Sequence, residues 1–315
     1  MRLLRSLLLL LFMIVYTPFY AIACFATFPF MNAHRRWWMV ARWCRHIIHA
    51  ARLLCGIRYR IQGWENLPDG PAVLLSKHQS AWETMAFPAL MPRPLCFVFK
   101  RELLMVPFFG WALGMLKMIH IDRKKGPRAF VSVIRQGRER LADGSWVIMF
   151  PEGTRTPTGV TGAYKSGGAR FAIATGAPVV PIAHNAGRMW PKNALVKRSG
   201  LITLSIGPAV PTAGRDAESV NAELSTWIEA EMRRIDPNAY PSDPSTPVGT
   251  AASQSAARTA STTPTSPSGQ SSVSSQVADG STKAVTTAAT EAATEANAAS
   301  RKAASGQATA VEPIR

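Results

Sequence analysis

What the sequence lacks already narrows what it can be. No Phe, Trp or Tyr follows Tyr240, and from Pro241 to Arg315 the chain is mostly Ala, Ser, Thr, Pro, Gly and Gln with sparse charge. Such a segment cannot bury enough apolar surface to offset the entropy of ordering it, so residues 241–315 are predicted to be a disordered tail. Cysteine is scarce: Cys24, Cys44, Cys55 and Cys96 form no C-x-x-C pair and show no cysteine–histidine spacing. Neither a zinc site nor a disulfide framework is legible, and buried free thiols in a reducing compartment are expected. Acidic residues are also few, 19 against 36 Lys and Arg, for a net charge of +17. The tail's Arg258, Lys283, Arg301, Lys302 and Arg315 cancel its Asp243, Asp279, Glu291, Glu295 and Glu312, so the whole excess lies in residues 1–240.

A surface this basic attracts nucleic acid or anionic lipid, and the placement of the charge decides between them. Leu7 to Met31 contains no charged residue. That is long enough to cross a bilayer core, which needs about 20 residues. Pro18 and Pro29 interrupt the run, so a helix that dips and returns is the other possibility. Arg35, Arg36, Arg42, Arg45, Arg52, Arg58 and Arg60 follow at once, mixed with Trp37, Trp38, Trp43, Ile47 and Leu53. Basic residues and tryptophan beside an apolar run make a membrane-interface composition, so membrane lipids are the expected partner and nucleic acid is not. A secretory signal competes, with Ala21-Ile22-Ala23 before Cys24 as a cleavage site. The apolar run continues past that point, however, and the basic segment after it hinders export. If the run spans, the basic cluster places the main domain on the cytoplasmic face of the inner membrane. Residues 33–56 have helical spacing; a helix packed on the core and a helix lying in the headgroups both fit, and the cationic polar face favours the second.

Residues 1–56 are therefore read as a membrane anchor with a basic interfacial helix, and 57–240 as the main domain. There, short apolar runs alternate with helical patterns. Strands are predicted at 58–62, 72–77, 95–99, 118–121, 146–150, 179–183 and 201–206. Helices are predicted at 81–89, 108–116, 127–142, 167–175 and 217–235. The pattern is that of an α/β domain with a mostly parallel sheet flanked by helices. Sites in such folds gather at the carboxyl ends of strands. His78, Lys100, Asp122 with Arg123, and Glu152 with Arg155 all fall just after predicted strands.

Two motifs stand out. In His78-Gln79-Ser80-Ala81-Trp82-Glu83 a carboxylate in the first turn of a helix can orient an imidazole that takes a proton from an alcohol. Ser80 to Glu83 also reads as a helix capping box, which would explain Glu83 without catalysis. Ser80 as a nucleophile lacks a Gly-x-Ser-x-Gly elbow, and the N-cap role accounts for it more simply. In Phe150-Pro151-Glu152-Gly153-Thr154-Arg155 a glycine turn can bring backbone N–H groups together, and Arg155 can meet a phosphate with two parallel bonds. Lys100, Arg101 and Arg123 can add charge, with surface ion pairing as their alternative use. Glu152 is expected to orient Arg155 or bind a substrate hydroxyl.

Together these residues resemble the glycerolipid acyltransferase family, and within it the bacterial 1-acyl-sn-glycerol-3-phosphate acyltransferases. The family's His-x4-Asp block is matched at His78, with Glu83 in place of aspartate. Its Phe-Lys-x-Glu-Leu block is matched at 99–103, Phe-Pro-Glu-Gly-Thr-Arg at 150–155, and an apolar run ending in proline at 179–181. The match runs over residues 72–187 and leaves out the membrane segment and the tail. The resemblance implies transfer of an acyl chain from acyl-CoA or acyl-ACP to the 2-hydroxyl of lysophosphatidic acid. In that reading His78 is the base, helped by Glu83. Arg155, Lys100 and Arg123 hold the phosphate. Glu152, Gly153 and Thr154 position the substrate or its oxyanion. No metal and no cofactor beyond the acyl donor is implied. Deleting residues 241–315 is expected to leave catalysis unchanged, as measured by turnover of the truncated and full-length proteins side by side.

Overall fold

The computed structural model describes residues 1–240; the predicted tail at 241–315 lies outside the described residues, as does the side chain of Arg123. Seven strands form one sheet: β1 (Ile57–Gln62), β2 (Val73–Ser76), β3 (Leu95–Lys100), β4 (Ile119–Ile121), β5 (Trp146–Met149), β6 (Val179–His184) and β7 (Gly200–Ile206). Their order is β1-β7-β6-β2-β5-β3-β4. All neighbours are parallel except β6 and β7. A parallel return needs a crossover of a dozen or more residues, usually a helix. Between β6 and β7 only the one-turn α7 (Ala186–Met189) intervenes, and the chain returns antiparallel. β6, β2, β5, β3 and β4 thus share one direction, and their carboxyl ends lie along one edge.

Side-chain alternation divides the core. Leu74, Ile148, Val180 and Ile182 point to one face, which is covered by α2 (Ala33–Cys55) and α3 (Trp82–Leu90). Val73, Leu75, Val147 and Val179 point to the other, which packs on Val133 of α5 (Pro127–Ala142), Phe171 of α6 (Gly167–Thr175) and Leu224 of α8 (Ala217–Ile235). β2 is buried on both faces, as strands covered by helices on each side must be. The helix ends follow local chemistry. Asn32 accepts the Arg35 N–H at 2.9 Å to start α2, and Gly56, at φ +69°, ends it in the left-handed region that a side chain disfavours. Asp216 accepts the N–H groups of Glu218 and Ser219 to start α8.

α1 (Arg2–Thr27) is long and apolar enough to cross a membrane by length and composition. It packs along α2, and both of its ends touch the rest of the protein. Ser6 Oγ accepts the Lys197 N–H at 2.8 Å near one end, and Phe25 meets Phe108 and Trp111 near the other. The outer side of α1 exposes Leu4, Leu11, Ile14, Phe19 and Ile22, and beyond Phe25 the exposed Met105, Phe108, Phe109 and Trp111 extend the same apolar surface. α2 buries Trp37, Ala41, Cys44, Ile47, Ile48 and Ala51, so the helix favoured as a headgroup helix is docked on the core. Some of its arginines serve the fold: Arg36 Nε donates to Phe28 O at 2.8 Å, and Arg45 donates to Ala89 O in the last turn of α3, where a cation is favourable. Arg42 and Arg52 remain exposed on its outer face. All four cysteines are free and buried. Burial pushes the Cys44 and Cys96 thiols up to about 12.

Candidate active site

β2 and β5 are neighbours, with Leu75 opposite Met149, and β3 lies beside β5, with Phe97 opposite Ile148. The chain leaving β2 at His78 therefore emerges next to the turn that follows β5. Lys100, at the end of β3, lies two strands over, about 10 Å across the sheet. Arg123 follows β4, one strand further out.

His78 is held on two sides. Its Nδ1 lies 3.0 Å from Glu83 Oε1. Its ring stacks on Phe150 with centroids 3.9 Å apart and planes 18° apart. Nε2 makes no hydrogen bond among the described residues, and the side chain keeps 15% of its surface open. With Nδ1–H directed at a carboxylate, Nε2 carries the lone pair that a base needs.

Glu83 serves two purposes with one oxygen. Oε1 also accepts the N–H groups of Gln79 at 2.9 Å and Ser80 at 2.7 Å. The capping contact to Ser80 and the contact to the His78 imidazole coexist. The box is only half formed, because Ser80 Oγ accepts from Trp82 N at 3.0 Å, not from Glu83 N. Ser80 Oγ also donates to Trp190 O at 2.6 Å and is fully buried, so the nucleophile reading is excluded. Burial is the largest influence on Glu83 and raises its pKa. The His184 and His78 imidazoles and the Ser80 N–H together outweigh it, and the carboxyl sits below its ordinary value.

The second motif divides differently from the sequence expectation. Glu152 neither meets Arg155 nor opens to a substrate hydroxyl. It is buried, with Oε2 accepting the His78 N–H at 2.8 Å and Oε1 accepting the Thr156 hydroxyl at 2.9 Å and facing Lys77 Nζ at 2.8 Å. It holds the backbone that carries the base. Gly153, at φ +69°, makes the turn, but its N–H donates to Phe150 O at 3.0 Å and so is not free for an oxyanion. Thr154 is exposed, and neither its N–H nor that of Arg155 has a protein partner among the described residues. The Arg155 side chain is half-exposed and makes no ion pair there, and Lys100 is likewise exposed and unpaired. Arg101 is taken by Asp122 at 2.9 Å.

Sequence reasoning missed Lys77, Glu229, Tyr164 and His184. Lys77 is fully buried, with Nζ 2.8 Å from Glu152 and 2.7 Å from Glu229 of α8. Tyr164 and Thr161 donate to Glu229 at 2.7 Å each. His184 Nε2 donates to Lys77 O at 2.8 Å. A lysine ending a buried strand was itself a signal, since buried charge is paired. Its partner, far along the chain, was not.

The Acyltransferase family matches residues 58–185, which contain both motifs. The chain is 45% identical over 212 residues to the 1-acyl-sn-glycerol-3-phosphate acyltransferase of Pseudomonas aeruginosa, across 66% of this chain and 81% of that protein. The chain belongs to the acyltransferase family. A human member, 1-acyl-sn-glycerol-3-phosphate acyltransferase alpha, is 30% identical over 54% of this chain and 61% of its own length. The fold is similar to that of the solved 1-acyl-sn-glycerophosphate (LPA) acyltransferase PlsC from Thermotoga maritima. The TM-score is 0.62 at 23% identity, covering 74% of this chain and 95% of that one. His78 and Glu83 both lie within the matched residues.

Two outcomes follow for this family member. Glu83→Gln should keep the fold by circular dichroism yet lower kcat by about 100- to 10,000-fold, because the imidazolium loses its counter-charge. Glu83→Asp should retain far more activity; equal rates in the two variants would leave Glu83 as a cap alone. At Glu229 burial, the largest influence, raises the pKa, but the bonds from Lys77, Tyr164 and Thr161 outweigh it and hold it below the ordinary 4.5. A carboxyl lowered on folding stabilises the protein above its unfolded value, and that stabilisation is lost as pH falls through the folded one. The melting temperature should therefore drop on acidification below 4.5, and less steeply in Glu229→Gln; parallel slopes would remove Glu229 from the linkage.

Proposed function

We propose that this protein is a membrane-associated O-acyltransferase that moves an acyl chain from a thioester, acyl-CoA or acyl-ACP, to the 2-hydroxyl of lysophosphatidic acid, giving phosphatidic acid. The observation that carries the reading is His78. It is braced by Glu83 and Phe150 with Nε2 open at the sheet edge, in a chain 45% identical to a protein named for that reaction.

His78 Nε2 takes the hydroxyl proton while Glu83 balances the charge that forms on the ring. The acceptor oxygen attacks the thioester carbonyl, the new C–O bond forms, and the C–S bond breaks. The departing thiolate takes the proton back from the imidazolium. No acyl-enzyme forms, consistent with the buried, committed Ser80 hydroxyl. The free N–H groups of Thr154 and Arg155, rather than that of Gly153, are the oxyanion donors, each worth about 3 kcal/mol in comparable sites. Arg155, Lys100 and Arg123 receive the acceptor's phosphate. The acceptor is itself an amphiphile. The exposed apolar side of α1, continued by Phe108, Phe109 and Trp111, gives the protein a lipid-facing surface, and the exposed Arg42 and Arg52 suit anionic headgroups. In this reading the catalytic domain lies at the cytoplasmic face of the inner membrane, which the basic residues following the apolar run support.

Purified protein should consume acyl-CoA in the presence of lysophosphatidic acid, and His78→Ala should abolish transfer while keeping the fold. Normal turnover in that variant would sink the mechanism. Turnover confined to another acceptor, such as glycerol 3-phosphate or a different lysophospholipid, would move the substrate but keep the chemistry. Arg155→Ala should mainly raise KM for lysophosphatidic acid; an unchanged KM would take it out of the phosphate site.

A further inference from the structure

A second opening lies at the same sheet edge, on the β6 side of His78 and away from Lys100. It is a cleft of about 500 Å³ lined by Gln79, Thr158, Arg188, Lys192, Arg198 and Asn238 among others, and no carboxylate lines it. It adjoins both motifs. Gln79 directly follows the base, and Lys192 Nζ donates to Arg155 O at 2.9 Å. Arg188 is paired with Asp236, whereas Lys192 and Arg198 form no ion pair among the described residues. The cleft therefore carries about two unbalanced positive charges at its exposed mouth.

Its inner wall asks for something else. Gln79 is 1% exposed; its Nε2 bonds to the Tyr240 hydroxyl, and its Oε1 is buried without a partner. A buried amide carbonyl left unpaired is costly unless a donor reaches it. Gly187 keeps this wall close: a Cβ there would meet Thr158 Oγ1 at 2.7 Å and Gln79 Cβ at 2.9 Å. The site thus wants a ligand with a neutral N–H or O–H donor deep in the cleft and a phosphate at its mouth.

We propose that the cleft takes the phosphopantetheine arm of the acyl donor. Gln79 Oε1 accepts one of the arm's amide N–H groups, and Lys192 and Arg198 face its phosphate. The arm brings the thioester toward His78 from the β6 side while the acceptor's phosphate is held from the β5–β3 side. This rests on the reading above that the donor is a thioester, and it names the part common to coenzyme A and acyl carrier protein.

The test uses the full-length enzyme in detergent and Arg198→Glu. Arg198 is exposed, and its side chain makes no hydrogen bond or ion pair among the described residues, so the change leaves the fold intact. KM for acyl-CoA and for acyl-ACP should each rise about tenfold, the loss of roughly one charge-assisted contact, and Arg198→Lys should recover most of it. KM for lysophosphatidic acid should not change. An unchanged donor KM, or an equal rise for the acceptor, overturns the assignment. A rise for acyl-CoA alone also overturns it, because that outcome points to the nucleotide phosphates and not to the shared arm. Calorimetry with 4′-phosphopantetheine, which lacks the nucleotide, and the His78→Ala protein separates this from failure of the proposed reaction. Binding weakened by Arg198→Glu sustains the cleft even where lysophosphatidic acid is not the acceptor. Absence of binding to a protein whose wild type turns over overturns the cleft and leaves the reaction standing.

Discussion

A single buried ammonium group governs the assembly of this site. Lys77 directly follows β2, one residue before His78, with no exposed surface. Taking an ammonium out of water costs several kcal/mol, which only well-placed carboxylates and hydrogen bonds can offset. Here they come from Glu152 in the turn after β5 and Glu229 in α8; Tyr164 donates to the Glu229 oxygen that faces Lys77 and Thr161 to the other. The domain therefore cannot settle until the end of β2, the second motif and the last helix have met. Glu152 then uses its other oxygen to fix the His78 N–H, so the same charge cluster that joins the elements sets the position of His78.

Topology explains why the chemistry collects where it does. Five parallel strands deliver their exits to one edge, with β2 at the centre of the functional part. On one side β5 and β3 bring the turn with Arg155 and the end with Lys100. On the other, β6 brings His184 beneath the Lys77 carbonyl and α7 beside Gln79. The antiparallel return of β7 places the segment between α7 and β7 near this edge as well, and Lys192 there reaches the Arg155 carbonyl. The proposed reaction, with two substrates, needs two approaches to one nitrogen, and an imidazole in the middle of a sheet edge has them.

Much of this was legible in the residues, for identifiable reasons. Strands buried on both faces read as short apolar runs such as Val73-Leu74-Leu75, and the seven runs found in the sequence are the seven strands. The pairing of His78 with Glu83 was visible because it depends on local spacing. The roles that went wrong depend on partners that spacing does not reveal. Gly153 offered an N–H, but the tight turn that makes glycine necessary also consumes it at Phe150 O. Glu152 looked available to substrate because Lys77, its partner, was read only as the end of a strand. The arginines of α2 suggested headgroups, and the periodicity that puts them on one face is the same periodicity that buries Trp37 and Ile47 on the other. The antiparallel β6–β7 pair was hidden because the alternation of elements does not record strand direction.

The stack of His78 on Phe150 ties two tasks together mechanically. Phe150 heads the turn that ends at Arg155, and it is backed in turn by Phe97 of β3. The imidazole thus leans on the segment that carries the Arg155 guanidinium, and His78 is only as well ordered as that segment. A disturbance of the turn is therefore felt as a tilt of the imidazole, and in the proposed reaction acceptor binding and proton transfer would share a hinge no wider than one aromatic ring.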